Sequence, residues 1–325
     1  MPGLSPTVKP QTHTKTSVDD SNNAAGVDPT PICDTMWPDP LDGLHVCRQG
    51  LHNSINESRT MARKTVLDLQ KMKAGNQKIS MVTAYDATMA RLVDAAGVDM
   101  VLVGDSVGMV VQGHEDTLSV TLDDMIYHGR CVDRGLKQAH LTVDLPFMTY
   151  QISPQQALES AGRLVKEGRA QSVKLEGGAR SVSAIESIVA AGIPVIGHIG
   201  LTPQSVHALG GFRVQGRDDD AAAQRLSDAI AIQDAGAFCL VMEMVPAGLA
   251  ADITAALEIP TIGIGAGGGC DGQVLVLPDM LGITQDFSPR FLRRYLDMGQ
   301  QMHDAIGQYV SDVRAKDFPN ENEQY

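Results

Sequence analysis

One pattern recurs along the chain from Ile79 onward, and it limits the fold more than any other feature of the sequence. An amphipathic stretch ends in Ala-Gly or a similar stop, a short β-branched run follows, and a polar residue then opens a loop. The clearest copies cover residues 94–105, 166–178, 189–200, 233–246 and 256–267. Because continuous apolar strands alternate with helices, the pattern predicts an α/β protein with a parallel sheet covered on both faces.

Three further stretches bring the strand count to eight, at residues 79–86, 140–144 and 273–277. A doubly wound sheet shares this alternation, but eight units and the lack of a G-x-G-x-x-G turn after the first strand favour a closed (β/α)8 TIM barrel. Helix starts are predicted at Ser153-Pro154 and at Ser288-Pro289, the latter before a long last helix. Residues 60–73 predict a helix that ends at Gly75.

Composition divides the chain into two parts. Residues 1–60 are rich in Ser, Thr, Asn, Asp and Pro and show no sustained period of 2 or 3.6, which predicts a flexible, disordered N-terminal extension. Residues 61–325 are the predicted barrel and catalytic domain, since a barrel needs about 250 residues. We expect the extension to make few contacts with the barrel and to tolerate deletion.

Charge and cysteine usage limit the partners and the compartment. The formal net charge is −13, so the surface repels phosphate backbones and anionic lipids, which argues against nucleic acid and membranes as partners. The five cysteines contain no C-x-x-C pair, which indicates a reducing compartment. Since neither a membrane-spanning run nor a signal peptide is visible, we expect a cytoplasmic protein.

Active groups of a barrel enzyme lie where strands end, so the polar residue that closes each apolar run is a candidate. These candidates are Asp86, Asp105, Asp144, Lys174, Glu176, His198 and Glu243. Asp105, Asp144 and Glu176 end three consecutive strands, and converging carboxylates repel one another unless a cation lies between them. An all-oxygen ligand set predicts Mg²⁺. The alternative is that these acids cap the following helices or pair with arginines.

Three of these candidates have both a functional and a structural interpretation. Lys174 lies two residues before Glu176, so both face the barrel mouth, where the ammonium binds a substrate oxygen or forms a structural ion pair with Glu176. Glu243 stands in an apolar run, and desolvation would suit it to act as a general base, unless a basic partner neutralises it. His198 binds substrate or makes a hydrogen bond in the core.

Seven motifs occur in a fixed order: TAYD (83–86), LVGDSVGMVVQGH (102–114), DLPFM (144–148), VKLEGG (173–178), GHIGLTPQS (197–205), VQGR (214–217) and IGIGAG (262–267). From about residue 63 to its end the chain thereby resembles the ketopantoate hydroxymethyltransferase family. The resemblance implies a barrel of the phosphoenolpyruvate/pyruvate type. It also implies that Asp105, Asp144 and Glu176 place Mg²⁺, that Asp105, Ser106, Asp144 and Lys174 hold a ketoacid, and that Glu243 accepts a proton.

The implied reaction moves a one-carbon unit from 5,10-methylenetetrahydrofolate, a co-substrate, to 3-methyl-2-oxobutanoate. The product is 2-dehydropantoate, on the route to pantothenate and coenzyme A. Family resemblance also implies a homo-oligomer, commonly a decamer. Two features depart from the family: residues 1–60 have no counterpart, and residues 267–271 are more glycine-rich, which predicts looser binding of whatever they contact.

Two rival functions are open at this point. A Mg²⁺-dependent barrel of the phosphoenolpyruvate mutase and isocitrate lyase kind resembles this chain around Gly104-Asp105-Ser106, but its Lys-Lys-Cys-Gly-His loop is absent here. A non-catalytic barrel that serves as a scaffold would be favoured by loss of a metal ligand or of the base. Every expected group is present, which favours the transferase.

Overall fold

The computed structural model describes residues 62–325, and within them eight parallel strands close into one barrel in chain order, with β8 pairing back to β1. The strands are β1 (Ile79–Thr83), β2 (Met100–Val103), β3 (His140–Asp144), β4 (Ser172–Glu176), β5 (Val195–Gly200), β6 (Cys239–Glu243), β7 (Thr261–Ile264) and β8 (Gly272–Leu275). This confirms the (β/α)8 barrel predicted from the repeat.

Helices follow the strands around the barrel. They are α1 (Val66–Ala74), α2 (Ala87–Ala95), α3 (Val107–Val110), α4 (Leu122–Asp133), α5 (Pro154–Lys166), α6 (Val182–Ala190), α7 (Val206–Leu209), α8 (Asp219–Asp234), α9 (Ala247–Ala256), α10 (Leu277–Met280) and α11 (Met298–Ala315). Because every strand runs in the same direction, all eight carboxyl ends meet at one face of the barrel.

Apolar side chains fill two layers. Inside the barrel, residues such as Met81, Met100 and Ile262 form one cluster, and Leu69 of α1 joins it with only 1% of its surface exposed. A larger cluster lies between the strands and the outer helices. Helix α1 therefore closes the amino-terminal end of the barrel, which leaves the opposite end for chemistry.

The predicted helix starts have different outcomes. Ser153 caps α5 by accepting a hydrogen bond from the Gln156 N–H, which confirms that start. The start predicted at Ser288-Pro289 is wrong, because α11 begins only at Met298. The segment before α11 is hydrogen-bonded to the end of α10, where the Tyr295 N–H donates to the Met280 carbonyl. The helix predicted over residues 60–73 begins at Val66 and does end at Gly75.

The described residues bear only partly on the predictions about the extension, the cysteines and membranes. The extension of residues 1–60 lies outside them. The cysteines within them, Cys131, Cys239 and Cys270, carry free thiols. No helix between residues 62 and 325 is both long enough and apolar enough to cross a bilayer.

The glycine-rich loop of residues 265–271 joins β7 to β8 without a helix and packs against α9. A Cβ at Gly269 would lie 2.8 Å from the Ala251 Cβ, closer than real Cβ atoms approach. This glycine therefore permits the close packing of the loop. The looser binding predicted from the sequence stays a prediction.

Candidate active site

Strand register brings the predicted residues together at the carboxyl end of the barrel. Asp144 of β3 pairs with Lys174 of β4, and Glu176 of β4 pairs with His198 of β5. Asp105 follows the end of β2, and Glu243 ends β6. None of the three acids predicted as metal ligands lies in the outer helical layer; all three are buried.

Asp105 and Asp144 form a buried acid pair beside Lys174. The Asp105 N–H donates to Asp144 Oδ2 at 3.1 Å, and Lys174 Nζ lies 3.1 Å from Asp144 Oδ1. Lys174 therefore pairs with Asp144, whereas the sequence suggested Glu176 as its structural partner. Burial lowers the pKa of Lys174, but the charges of Asp144, Glu176 and Asp105 outweigh burial and raise it, so the amine stays protonated.

The positive charge near Asp105 and Asp144 is not enough to compensate for their burial. Burial, followed by repulsion from Asp144 and Glu176, raises the pKa of Asp105 to about 8. Burial also raises the pKa of Asp144, against the opposing effect of Lys174. One lysine thus does not compensate the burial of these carboxylates, and a second cation beside them would relieve both burial and repulsion.

Ser106 and Asp86 differ in role. The Ser106 hydroxyl lies 2.9 Å from the Tyr85 hydroxyl, and a Cβ at Gly104 would lie 2.8 Å from Ser106 Oγ and 3.5 Å from Asp144 Oδ2, so the hydroxyl is close to the acid pair. Asp86 instead caps α2, accepting hydrogen bonds from the N–H groups of Thr88 and Met89. Asp86 is therefore a strand-end acid that caps the following helix, as the alternative interpretation predicted.

His198 lies between two carboxylates. Its Nδ1 is 3.4 Å from Glu176 Oε1, and its Nε2 is 3.4 Å from Glu243 Oε2. Burial and the charge of Lys174 lower the pKa of His198, but the carboxylates of Glu176 and Glu243 outweigh them and raise it to about 9. His198 is therefore the basic partner of Glu243 that the sequence left open.

Glu243 is more open to solvent than the buried acids of the site. Its side chain is 19% exposed, compared with 2% for Glu176 and 3% for Asp144. The end of β5 packs directly on it: Gly200 has φ +95°, and a Cβ there would lie 2.1 Å from the Glu243 carbonyl oxygen. Only glycine permits this approach, which fixes Glu243 at the rim of the site.

Sequence reasoning assigned no role to Gln204, although the residue lies in the GHIGLTPQS motif. Its Nε2 donates to Asp105 Oδ2 at 2.8 Å, and its backbone N–H donates to Glu176 Oε2 at 3.0 Å. The Tyr150 hydroxyl donates to Gln204 Oε1 at 2.8 Å. These contacts come from loops after β3 and β5, whose approach a strand pattern does not predict.

The donor set fits the magnesium ion expected from the sequence. Asp144 Oδ1 is buried and accepts no well-aligned hydrogen bond from the described residues, so it is oriented for a further positive partner. Mg²⁺ typically takes one or two carboxylates plus waters and substrate. No three His, Cys, Asp or Glu side chains in residues 62–325 already surround one metal position, so the shared shell of Asp105, Asp144 and Glu176 stays a prediction.

Solved structures share this architecture. A 2,3-dimethylmalate lyase of the phosphoenolpyruvate mutase/isocitrate lyase superfamily has a TM-score of 0.51 at 15% identity, covering 80% of this chain and 91% of that one. A phosphonopyruvate hydrolase in complex with oxalate and Mg²⁺ has a TM-score of 0.53 at 10% identity, covering 80% and 93%. At these identities the likeness shows the fold alone, a closed (β/α)8 barrel that this chain shares with both proteins.

Sequence comparison then specifies the family. The model of the ketopantoate hydroxymethyltransferase family matches residues 63–321. The 3-methyl-2-oxobutanoate hydroxymethyltransferase of Syntrophotalea carbinolica is 57% identical over 257 residues, covering 79% of this chain and 96% of that protein. The enzyme of the same name from Salinibacter ruber is 54% identical over 265 residues, covering 82% and 100%. The chain belongs to the ketopantoate hydroxymethyltransferase family, as its motifs indicated.

Proposed function

We propose that this protein transfers a hydroxymethyl group from 5,10-methylenetetrahydrofolate to 3-methyl-2-oxobutanoate, giving 2-dehydropantoate for pantothenate and coenzyme A synthesis. Family membership and the names of its relatives support the proposal. The observation that carries it is the pairing of a buried acid–lysine cluster with the more exposed Glu243 at the same barrel face. The cluster is suited to hold a ketoacid, and Glu243 is suited to deprotonate it.

Ketoacid binding falls to Lys174, Ser106 and the acid pair. The protonated Lys174 amine supplies a positive charge for the carboxylate or ketone oxygen of the substrate. The Ser106 hydroxyl adds a hydrogen bond at the same position. Asp105, Asp144 and Glu176 would hold Mg²⁺, which when bound polarises the ketone and lowers the barrier to enolate formation.

Glu243 takes the role of general base. Its carboxylate accepts the proton from C3 of the ketoacid, and the enolate carbon forms a bond to the one-carbon unit. The C–N bonds of that unit to the folate break, a water molecule supplies the hydroxyl oxygen, and tetrahydrofolate leaves. His198 Nε2 lies 3.4 Å from Glu243 Oε2, and the 19% exposure of the Glu243 side chain leaves its carboxylate accessible to the substrate. The loops at this face exclude water from the buried acids, which strengthens the electrostatic effect of Lys174.

Three further proposals concern the whole protein. The cytoplasmic location is supported by the free thiols of Cys131, Cys239 and Cys270. The homo-oligomer, with a decamer as the family expectation, is supported by α11, whose apolar side chains are exposed. The division into an extension of residues 1–60 and a catalytic domain of residues 61–325 is supported by composition and by the limits of the family match.

The test is a direct assay of product. Purified protein with 3-methyl-2-oxobutanoate, 5,10-methylenetetrahydrofolate and Mg²⁺ should form 2-dehydropantoate, and a metal chelator should stop the reaction until Mg²⁺ is restored. Phosphonopyruvate offered in place of the ketoacid should give no turnover. Turnover of phosphonopyruvate without 2-dehydropantoate formation would favour the rival barrel chemistry.

A further inference from the structure

Gln204 forms hydrogen bonds to two separate acids of the site, Asp105 and Glu176. It is 6% exposed and lies in a short turn, Pro203–Ser205, directly after β5. Its side chain reaches Asp105, and its backbone N–H reaches Glu176, so one residue contacts two of the three acids assigned to the metal. Asp105 and Glu176 come from strands that are not adjacent in the barrel.

The orientation of the Gln204 amide is fixed by its neighbours. Nε2 faces two groups that can only accept hydrogen bonds, the Asp105 carboxylate at 2.8 Å and the Leu145 carbonyl at 2.9 Å. Oε1 faces two donors, the Tyr150 hydroxyl at 2.8 Å and Gln151 Nε2 at 3.0 Å. A flipped amide would place its oxygen against two acceptors, so both ends of the side chain hold it in one orientation.

We propose that Gln204 is a positioning residue that aligns the Asp105 and Glu176 carboxylates for a divalent cation. It fixes Oδ2 of Asp105 and Oε2 of Glu176 by donating to both, so Asp105 Oδ1 is left for the site, while Glu176 Oε1 lies 3.4 Å from His198 Nδ1. Hydrogen bonds of this kind, which orient a metal-binding carboxylate, commonly change metal affinity by about 10- to 100-fold. The proposal rests on the proposed magnesium dependence, and it assigns a role to Tyr150 as well, because Tyr150 holds the far end of the amide.

The test measures cation affinity without turnover. Mn²⁺, which favours oxygen ligands as Mg²⁺ does, is titrated into the protein without ketoacid, and free Mn²⁺ is followed by its electron paramagnetic resonance signal. Gln204→Met keeps the length of the side chain and the backbone N–H to Glu176 but removes both side-chain donors. We expect its Mn²⁺ dissociation constant to rise about 10- to 100-fold.

The matched control is Gln308→Met on α11. Gln308 also donates its amide to a carboxylate, Asp312 Oδ1 at 2.7 Å, but on an exposed helix outside the barrel. The Mn²⁺ affinity of the Gln308→Met protein should equal that of the wild type. Thermal midpoints without cation, measured for both variants, show whether each is folded at the temperature of the titration.

Tyr150→Phe provides a second arm if Gln204→Met does not fold: the ring stays, and the hydroxyl that holds Gln204 Oε1 is lost together with its hydrogen bonds to the backbone N–H and carbonyl of Glu176. We expect a smaller rise in the Mn²⁺ dissociation constant, about 3- to 10-fold, below the full effect of losing an orienting partner. Wild-type affinity in a folded Gln204→Met or in Tyr150→Phe would overturn the positioning role alone. If the wild type itself binds no Mn²⁺, the metal proposal fails, and this proposal fails with it.

Discussion

His198 Nε2 lies 3.4 Å from Glu243 Oε2, so the proposed base and the buried interior of the site are joined by one imidazole. His198→Gln should keep a donor near Glu243 but remove the positive charge between the two carboxylates. Loss of a group that orients a functional side chain commonly costs about 10- to 100-fold. We expect kcat to fall by that factor while the KM for the ketoacid changes little, as steady-state kinetics would record.

The control for this variant is His303→Gln, since His303 lies exposed on α11. Its kinetics should match those of the wild type. A His198→Gln enzyme with unchanged kcat would mean that Glu243 does not depend on the imidazole.

His140 gives a stability prediction at the opposite end of the barrel. It is 1% exposed, donates from Nδ1 to the Lys64 carbonyl and accepts at Nε2 from the Ser172 hydroxyl. Burial lowers its pKa to about 4. The unfolded chain, with a histidine pKa near 6.5, therefore binds more protons between pH 6.5 and 4, so stability falls as pH falls through that window.

Urea unfolding at pH 7 and pH 5 measures this effect. In His140→Asn the group does not titrate, and the loss of unfolding free energy between these pH values should be smaller than in the wild type by about 2 kcal/mol. The exposed His303→Asn serves as control and should follow the wild type. If His140→Asn and the wild type lose the same unfolding free energy between pH 7 and pH 5, the neutral buried state of His140 is contradicted.

The strands and their order were predictable because each repeat carries its own apolar run and its own polar end. That pattern also placed Asp105, Asp144 and Glu176 at the same face, since parallel strands share an end. The contact between His198 and Glu243 was not predictable, because it depends on the relative register of β5 and β6. The start at Ser288 was wrong for a similar reason: long-range hydrogen bonds to the α10 region outweighed a local helix signal.

Helix α11 carries the prediction about assembly. Within the described residues it buries no side chain, and its apolar side chains Met302, Ile306, Tyr309 and Val313 lie on one stripe, each 44–59% exposed. We expect the wild type to sediment as an oligomer well above the chain mass of 34.6 kDa, and Ile306→Glu to lower that mass. Gln308→Glu, which changes a residue outside this stripe, should leave the mass of the oligomer unchanged. An unchanged mass for Ile306→Glu would show that the stripe is not a contact between copies.

A chain shortened to begin at Met61 tests the division of the protein. Its thermal midpoint and its kcat should stay close to those of the full chain, because residues 1–60 lack an apolar face to bury. A chain that begins at Asn76 is the control: it lacks α1, and with it the buried Leu69, so it should lose stability. Loss of folding or of most activity on starting at Met61 would make the extension part of the working enzyme.

Proton removal by Glu243 is the step on which the proposed mechanism depends most. Glu243→Gln keeps the shape of the side chain and much of its hydrogen bonding, but an amide does not accept a proton at neutral pH. Exchange of the C3 proton of 3-methyl-2-oxobutanoate with deuterated water, followed by proton NMR with Mg²⁺ and without folate, isolates this step. Glu258→Gln, a change at an exposed position, is the control.

The wild type and Glu258→Gln should exchange the C3 proton at equal rates. Glu243→Gln should exchange it about 10²- to 10⁴-fold more slowly, with little change in the affinity for the ketoacid. Exchange by Glu243→Gln at the wild-type rate would contradict the assignment of Glu243 as the base.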